Sequence, residues 1–189
     1  MNIRTNHKLP FWAILALVAV LALAIAVPSF ADDITGSATV TGGTLTMSAA
    51  DNPAFPETIL NGTDQTQNGS INISAKDLTG TGSGWNLQIT STTFTNGGSR
   101  TLANNAMSIT GASAACATGT CTDPTNGTGY PLTVPAGTTA PTAVKFFSAA
   151  ADTGMGEFTV SPSLQLSIPA DTYAGTYNST VTITVSSGP

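Results

Sequence analysis

The chain has 189 residues, of which 41% are apolar and 8% charged, with five Lys and Arg against ten Asp and Glu and a net charge of −5. Cations this sparse argue against nucleic-acid binding, which needs clustered Lys and Arg, and against an electrostatic hold on anionic lipid. The length suits a leader followed by about one domain.

Residues 1–31 read as a secretory signal peptide. Arg4 and Lys8 make a positive start, Phe11 to Val27 is an uncharged apolar run, and Pro28 ends it. Ser29 and Ala31 then place small residues at −3 and −1 of a cleavage point before Asp32. The rival reading is a retained anchor, but the run is at the short end for a bilayer span. The expected organisation is a signal peptide at 1–31 and one domain at 32–189. No second long apolar run and no sorting signal at Ser186–Pro189 follows, so no stable membrane anchor is expected after cleavage. Lys76, Arg100 and Lys145 are then the only remaining cations.

From Asp32 onward, Thr, Ser, Gly, Ala and Asn dominate, a composition for strands joined by turns. A disordered linker would share much of it, but would lack the alternating apolar positions. Ile34 to Thr41 alternates Ile34, Ala38 and Val40 and reads as a first strand, turned back at Gly42-Gly43. Thr44 to Ala49 carries Leu45 and Met47 on one face. Prolines break the pattern at Asn52-Pro53 and Phe55-Pro56, and Glu57 to Leu60 suits a short edge strand. Asn61-Gly62 and Asn68-Gly69 are turn dipeptides. Ser70 to Lys76 alternates Ile71, Ile73 and Ala75.

After a Gly/Thr/Ser turn, Trp85, Leu87 and Ile89 point inward against Asn86, Gln88 and Thr90 outward. Ala106 to Thr110 holds Met107 and Ile109, and Cys116 to Thr128 is an excursion of small residues. Pro131 to Val134, Ala143 to Phe147, Gly156 to Ser161 and Leu164 to Pro169 are further strands. Gly175 to Ser186 is the most regular, with Tyr177, Val181, Ile183 and Val185 on one face. Short strands without helical patterns between them predict an all-β fold, an antiparallel β-sandwich of Ig-like general architecture with one wet face per sheet. At Tyr173 to Tyr177 two readings stand: a tyrosine hydroxyl bonding back to the backbone, or a plain turn before an inward aromatic.

Cys116 and Cys121 are the only cysteines. In an exported chain a disulfide is the expectation, and the four residues between them allow closure. A metal site is disfavoured by the shortage of ligands, because the only His, His7, lies in the leader. The same shortage removes the usual general base and any Ser-His-Asp or Cys-His arrangement. The acids are scattered through turn contexts, so the chain is expected to be no enzyme and to take no cofactor and no metal.

Gly84-Trp85-Asn86-Leu87-Gln88-Ile89-Thr90, followed by Phe94 and Leu102 to Thr110, resembles the WxL domain, a secreted bacterial cell-surface domain. In that family a first Trp-x-Leu sits mid-domain, and a Gly-Thr-Tyr-like turn leads into a terminal strand carrying a second. Here Trp85 and Leu87 match the first motif and Gly175 and Tyr177 match the turn, while Ile183-Thr184-Val185 replaces the second Trp-x-Leu. The resemblance implies non-covalent attachment to peptidoglycan or another cell-wall glycan, with other surface proteins as further partners. Trp85 is read either as a core aromatic or as a wall contact. The ending is also similar to spore-coat U-like and pilin-like domains. That implies the alternative of a fibre or coat subunit assembled by strand addition; a carbohydrate-binding module ranks third.

Overall fold

The computed structural model describes residues 32–189, and the expected signal peptide lies outside the described residues. Ten strands follow in order: β1 (Leu45–Ala49), β2 (Gln65–Ser70), β3 (Ile73–Asp77), β4 (Trp85–Thr92), β5 (Met107–Thr118), β6 (Leu132–Thr133), β7 (Ala136–Gly137), β8 (Val144–Ala149), β9 (Gly156–Ile168) and β10 (Val181–Ser187). They form two sheets that pack as an all-β sandwich. One sheet runs β1-β3-β9-β5-β6, with β2 also on β9; the other runs β10-β4-β7, with β8 also on β4. Every pairing is antiparallel except the short parallel contact of β4 with β7.

The alternation in the sequence sets the inner faces. Ile73 and Ala75 of β3, Met107 and Ile109 of β5, and Phe158, Val160, Leu164 and Leu166 of β9 are buried on one sheet. Trp85, Leu87 and Ile89 of β4, with Phe147 and Ala149 of β8, meet them from the other. Side chains of a strand alternate between its two faces, so each strand adds every second residue to the core.

Long strand β9 organises its sheet. Its first part pairs β3 through Val160 and its second pairs β2 from Ser163, while β5 runs along the opposite side. Pro162 interrupts the expected pattern but not the strand. It falls, with Ser161, in the gap between β3 and β2, where neither ladder needs its missing N–H. Two expected strands are therefore one.

Other expectations are corrected. Ile34 to Thr41 carries no strand: the Gly43 N–H bonds to Leu78 O at 2.6 Å, so Gly42-Gly43 continues the edge of β3 instead of turning back. Glu57 to Leu60 is a loop, its Ile59 carbonyl taken by the Gln65 side chain. Cys116 does not begin an excursion, because β5 extends to Thr118. The terminal strand starts at Val181, since Asn178 is bridged to Thr95 ahead of it. Two of the three expected outer residues of β4 are not wet, while Gln88 stays partly exposed. Asn86, Thr90 and the inward Ser91 are all buried, because β4 is flanked on both sides and Thr90 Oγ1 donates to the Pro141 carbonyl at 2.8 Å.

Asn68-Gly69 is no turn either, but lies inside β2. Glycine serves there for lack of bulk: a Cβ would stand 2.9 Å from the Ala54 carbonyl oxygen and 3.0 Å from the Phe55 ring. Gly69→Ala is expected to cost ~1–3 kcal/mol as overpacking. Gly129→Ala, where a Cβ meets nothing within 4 Å, is expected to stay within about 0.5 kcal/mol. Urea unfolding of both variants checks the difference.

Candidate functional site

Trp85 opens β4 wholly buried. Its ring stacks on Phe147 at 5.7 Å between centroids and tilts against Phe158 at 6.5 Å. Its Nε1–H donates to the Gly154 carbonyl at 2.8 Å, satisfying a polar group that would be costly to bury alone. Gly154 has φ +71°, and a Cβ there would lie 2.7 Å from Trp85 Nε1 and 2.5 Å from Ala149 Cβ. Leu87 is equally buried. Of the two readings of Trp85, the geometry supports the core aromatic: neither side chain of the motif has surface to offer a ligand.

The terminal segment meets this motif directly. In the register of β10 on β4, Val185 lies opposite Leu87 and Ile183 opposite Ile89. Ile183 and Val185 are half-buried and pack against the core. The place of a second Trp-x-Leu is thus taken by two β-branched residues beside the first motif, where they fill a pleated surface well. Cys116 and Cys121 are joined, with Cα atoms 5.8 Å apart, at the end of β5 and far in sequence from the motif.

Gly175 and Tyr177 belong to a different place, a groove of about 1120 Å³. One wall is the loop from Asn52 to Leu60, the other the segment from Thr172 to Val181. Phe94, Leu102, Leu166 and Ile168 supply its apolar residues. Phe55 wedges in from the first wall, edge-to-face on Phe94 at 6.2 Å.

The second wall is held by its own chemistry. Tyr177 Oη donates to the Tyr173 carbonyl at 2.9 Å, the back-bond that the sequence left as one of two readings. Asn178 exchanges backbone hydrogen bonds with Thr95 at 2.8 and 3.0 Å, and Ser179 Oγ donates to the Thr92 carbonyl at 2.6 Å. The hairpin from Phe94 to Leu102, with its tip at Asn96-Gly97-Gly98, brings Arg100 over the Tyr173 ring at 3.6 Å from the centroid. Tyr173 is nevertheless 57% exposed. Thr58, in the first wall, has a buried Oγ1 with no hydrogen-bond partner.

The groove therefore combines a fixed aromatic with neutral hydroxyl and amide groups and one acidic side chain, Glu57. Such a lining suits a neutral polar ligand with apolar faces. Sequence reasoning did not place Arg100, Phe55 or Thr58 here. The i, i+4 pair Tyr173/Tyr177 was the legible signal; the loop from Asn52 comes from the other end of the chain and left none.

Truncation separates the motif from the groove. Trp85→Ala is expected to destabilise by ~3–5 kcal/mol, as large core truncations do. Tyr177→Phe, losing one half-exposed hydrogen bond, is expected to cost ~0.5–1.5 kcal/mol. Chemical denaturation followed by circular dichroism measures both.

A family model described as "WxL domain surface cell wall-binding" matches residues 29–189. No curated protein and no solved structure matches the chain. With the match running through both sheets, the Trp85-x-Leu87 strand and the groove, the chain belongs to the WxL family of cell-wall-binding surface domains.

Proposed function

We propose that this protein is exported, loses residues 1–31, and is held non-covalently on peptidoglycan through the groove beside Tyr173, catalysing no reaction. The observation that carries the reading is the exposed Tyr173 ring, fixed by Arg100 on its face and by Tyr177 through its carbonyl. A sugar ring has apolar C–H faces and a polar rim. A rigid tyrosine offers such a ring contact area at little entropic cost. Thr176 and Asn178 supply neutral donors and acceptors along the second wall.

The charge pattern supports the same ligand class. Among the described residues Glu57 is the one charged side chain lining the groove and Arg100 sits on Tyr173, so the groove presents no cationic cluster for an anionic polymer. From Asp32 onward the sequence holds no His, and among the described residues no three His, Cys, Asp or Glu gather as a metal site. Binding by neutral hydrogen bonds and ring contact, rather than chemistry, is what this site supports.

Co-sedimentation of the chain from Asp32 with purified peptidoglycan tests the proposal. Saturable binding is expected, nearly unchanged as NaCl rises from about 50 to about 500 mM, because little of it is screened. Tyr173→Ala is expected to weaken it about tenfold, which corresponds to ~1.4 kcal/mol, with the circular dichroism spectrum unchanged. Undiminished binding by Tyr173→Ala, or binding abolished by salt, would refute the groove as the site.

A further inference from the structure

We propose that residues 34–41 of one copy add as a strand to the open edge of β5 in a second copy, so that the protein assembles head to tail. The donor is Ile-Thr-Gly-Ser-Ala-Thr-Val-Thr. It has a strand's alternation and β-branched residues, yet it carries no strand and no bridge, and Ile34 and Val40 are 93% and 94% exposed. An exposed segment of this composition has apolar side chains and backbone groups that pairing would satisfy.

The acceptor is the distal half of β5. Residues 111–118 pair with β9 on one side, and Gly111 to Cys116 do so in unbroken register. On the other side β6 reaches only Ser108 and Ile109. Among the described residues no further backbone hydrogen bond joins 111–118 on that side. The stretch Gly-Ala-Ser-Ala-Ala-Cys-Ala-Thr carries no charge and no proline, the usual protections of an edge. Donor and acceptor are both eight residues long. The small side chains of the acceptor leave room for a donor: in an antiparallel register of 34–41 on 111–118, Val40 and Ala38 fall opposite Ala112 and Ala114, which already pack against the core.

The donor cannot serve its own copy. Gly43 is bonded to Leu78 beside β3, and β1 lies at the opposite edge of the sheet from β5. The slot outside β5 is four strand spacings from β1, about 19 Å. Crossing that distance from Gly43 consumes about five residues at full extension, and so leaves half the segment unpaired. A second copy meets no such limit. Donor and acceptor are different surfaces, so the contact is heterologous, and successive copies form an open chain unless rotation closes a ring. Neither surface lines the groove, and assembly is independent of the glycan reading.

Sedimentation velocity on the chain from Asp32, which contains every described strand, provides the test. Oligomers that grow with concentration are expected, while the chain from Gly42, keeping all ten strands, stays monomeric. A synthetic peptide of residues 32–41 is expected to bind the shortened chain and to slow amide exchange at 111–118. Ser113→Lys with Ala115→Lys, both exposed, is expected to abolish peptide binding and assembly without altering the circular dichroism spectrum. A chain from Asp32 that stays monomeric up to about 1 mM, assembly that persists in the lysine variant, or peptide protection outside 111–118 would each overturn the proposal.

Discussion

The burial of Trp85 is the constraint on which the two sheets depend. One ring spans the sandwich, touching Phe147 of its own sheet and Phe158 of the other, and its N–H ties the start of β4 to the Gly154 carbonyl just before β9. Gly154 must be bare for that approach. β4 in turn is the strand to which β10, β8 and β7 all pair. Fixing its first residue therefore fixes the register of a whole sheet, because a slip by one residue would turn Trp85, Leu87 and Ile89 outward.

The groove inherits its shape from that strand. Beyond β4 the chain continues through Thr92 to Thr95, and the segment before β10 is pinned to it by the Asn178 and Ser179 bonds. The hairpin that follows swings Arg100 onto Tyr173. A surface aromatic is thus positioned by a core one through roughly ten residues of continuous backbone bonding. Motif and groove are distinct, and the motif's strand holds the groove's scaffold.

Much of this architecture could be read from alternation alone. Trp85, Leu87 and Ile89 lie inside as their period-two pattern predicts, and the sandwich follows from strands without helices. Misreadings fall where local signals compete with tertiary ones. Asn68-Gly69 looks like a turn, but it lies within β2, where the Ala54 carbonyl and the Phe55 ring crowd the space a side chain would take. Pro162 looks like a break, but sits at a gap between two partner strands. Asn86 and Thr90 look like solvent-facing residues, but the chain from Pro135 to Pro141 and the carbonyl of Gly188 satisfy them. The groove was legible only in its Tyr173 to Tyr177 half. Its other wall depends on a loop whose sequence announces irregular structure and not its destination.

Wall recognition in the groove is a proposal, whereas the Trp-x-Leu strand is buried in the core. Amide and indole chemical-shift mapping of the 15N-labelled chain from Asp32, titrated with soluble peptidoglycan fragments, examines both at once. Shifts are expected at residues 172–180 and 52–60, with the Trp85 indole N–H, hydrogen-bonded and buried, left in place. Saturating shifts centred on the Trp85 indole, with a silent groove, would contradict that proposal.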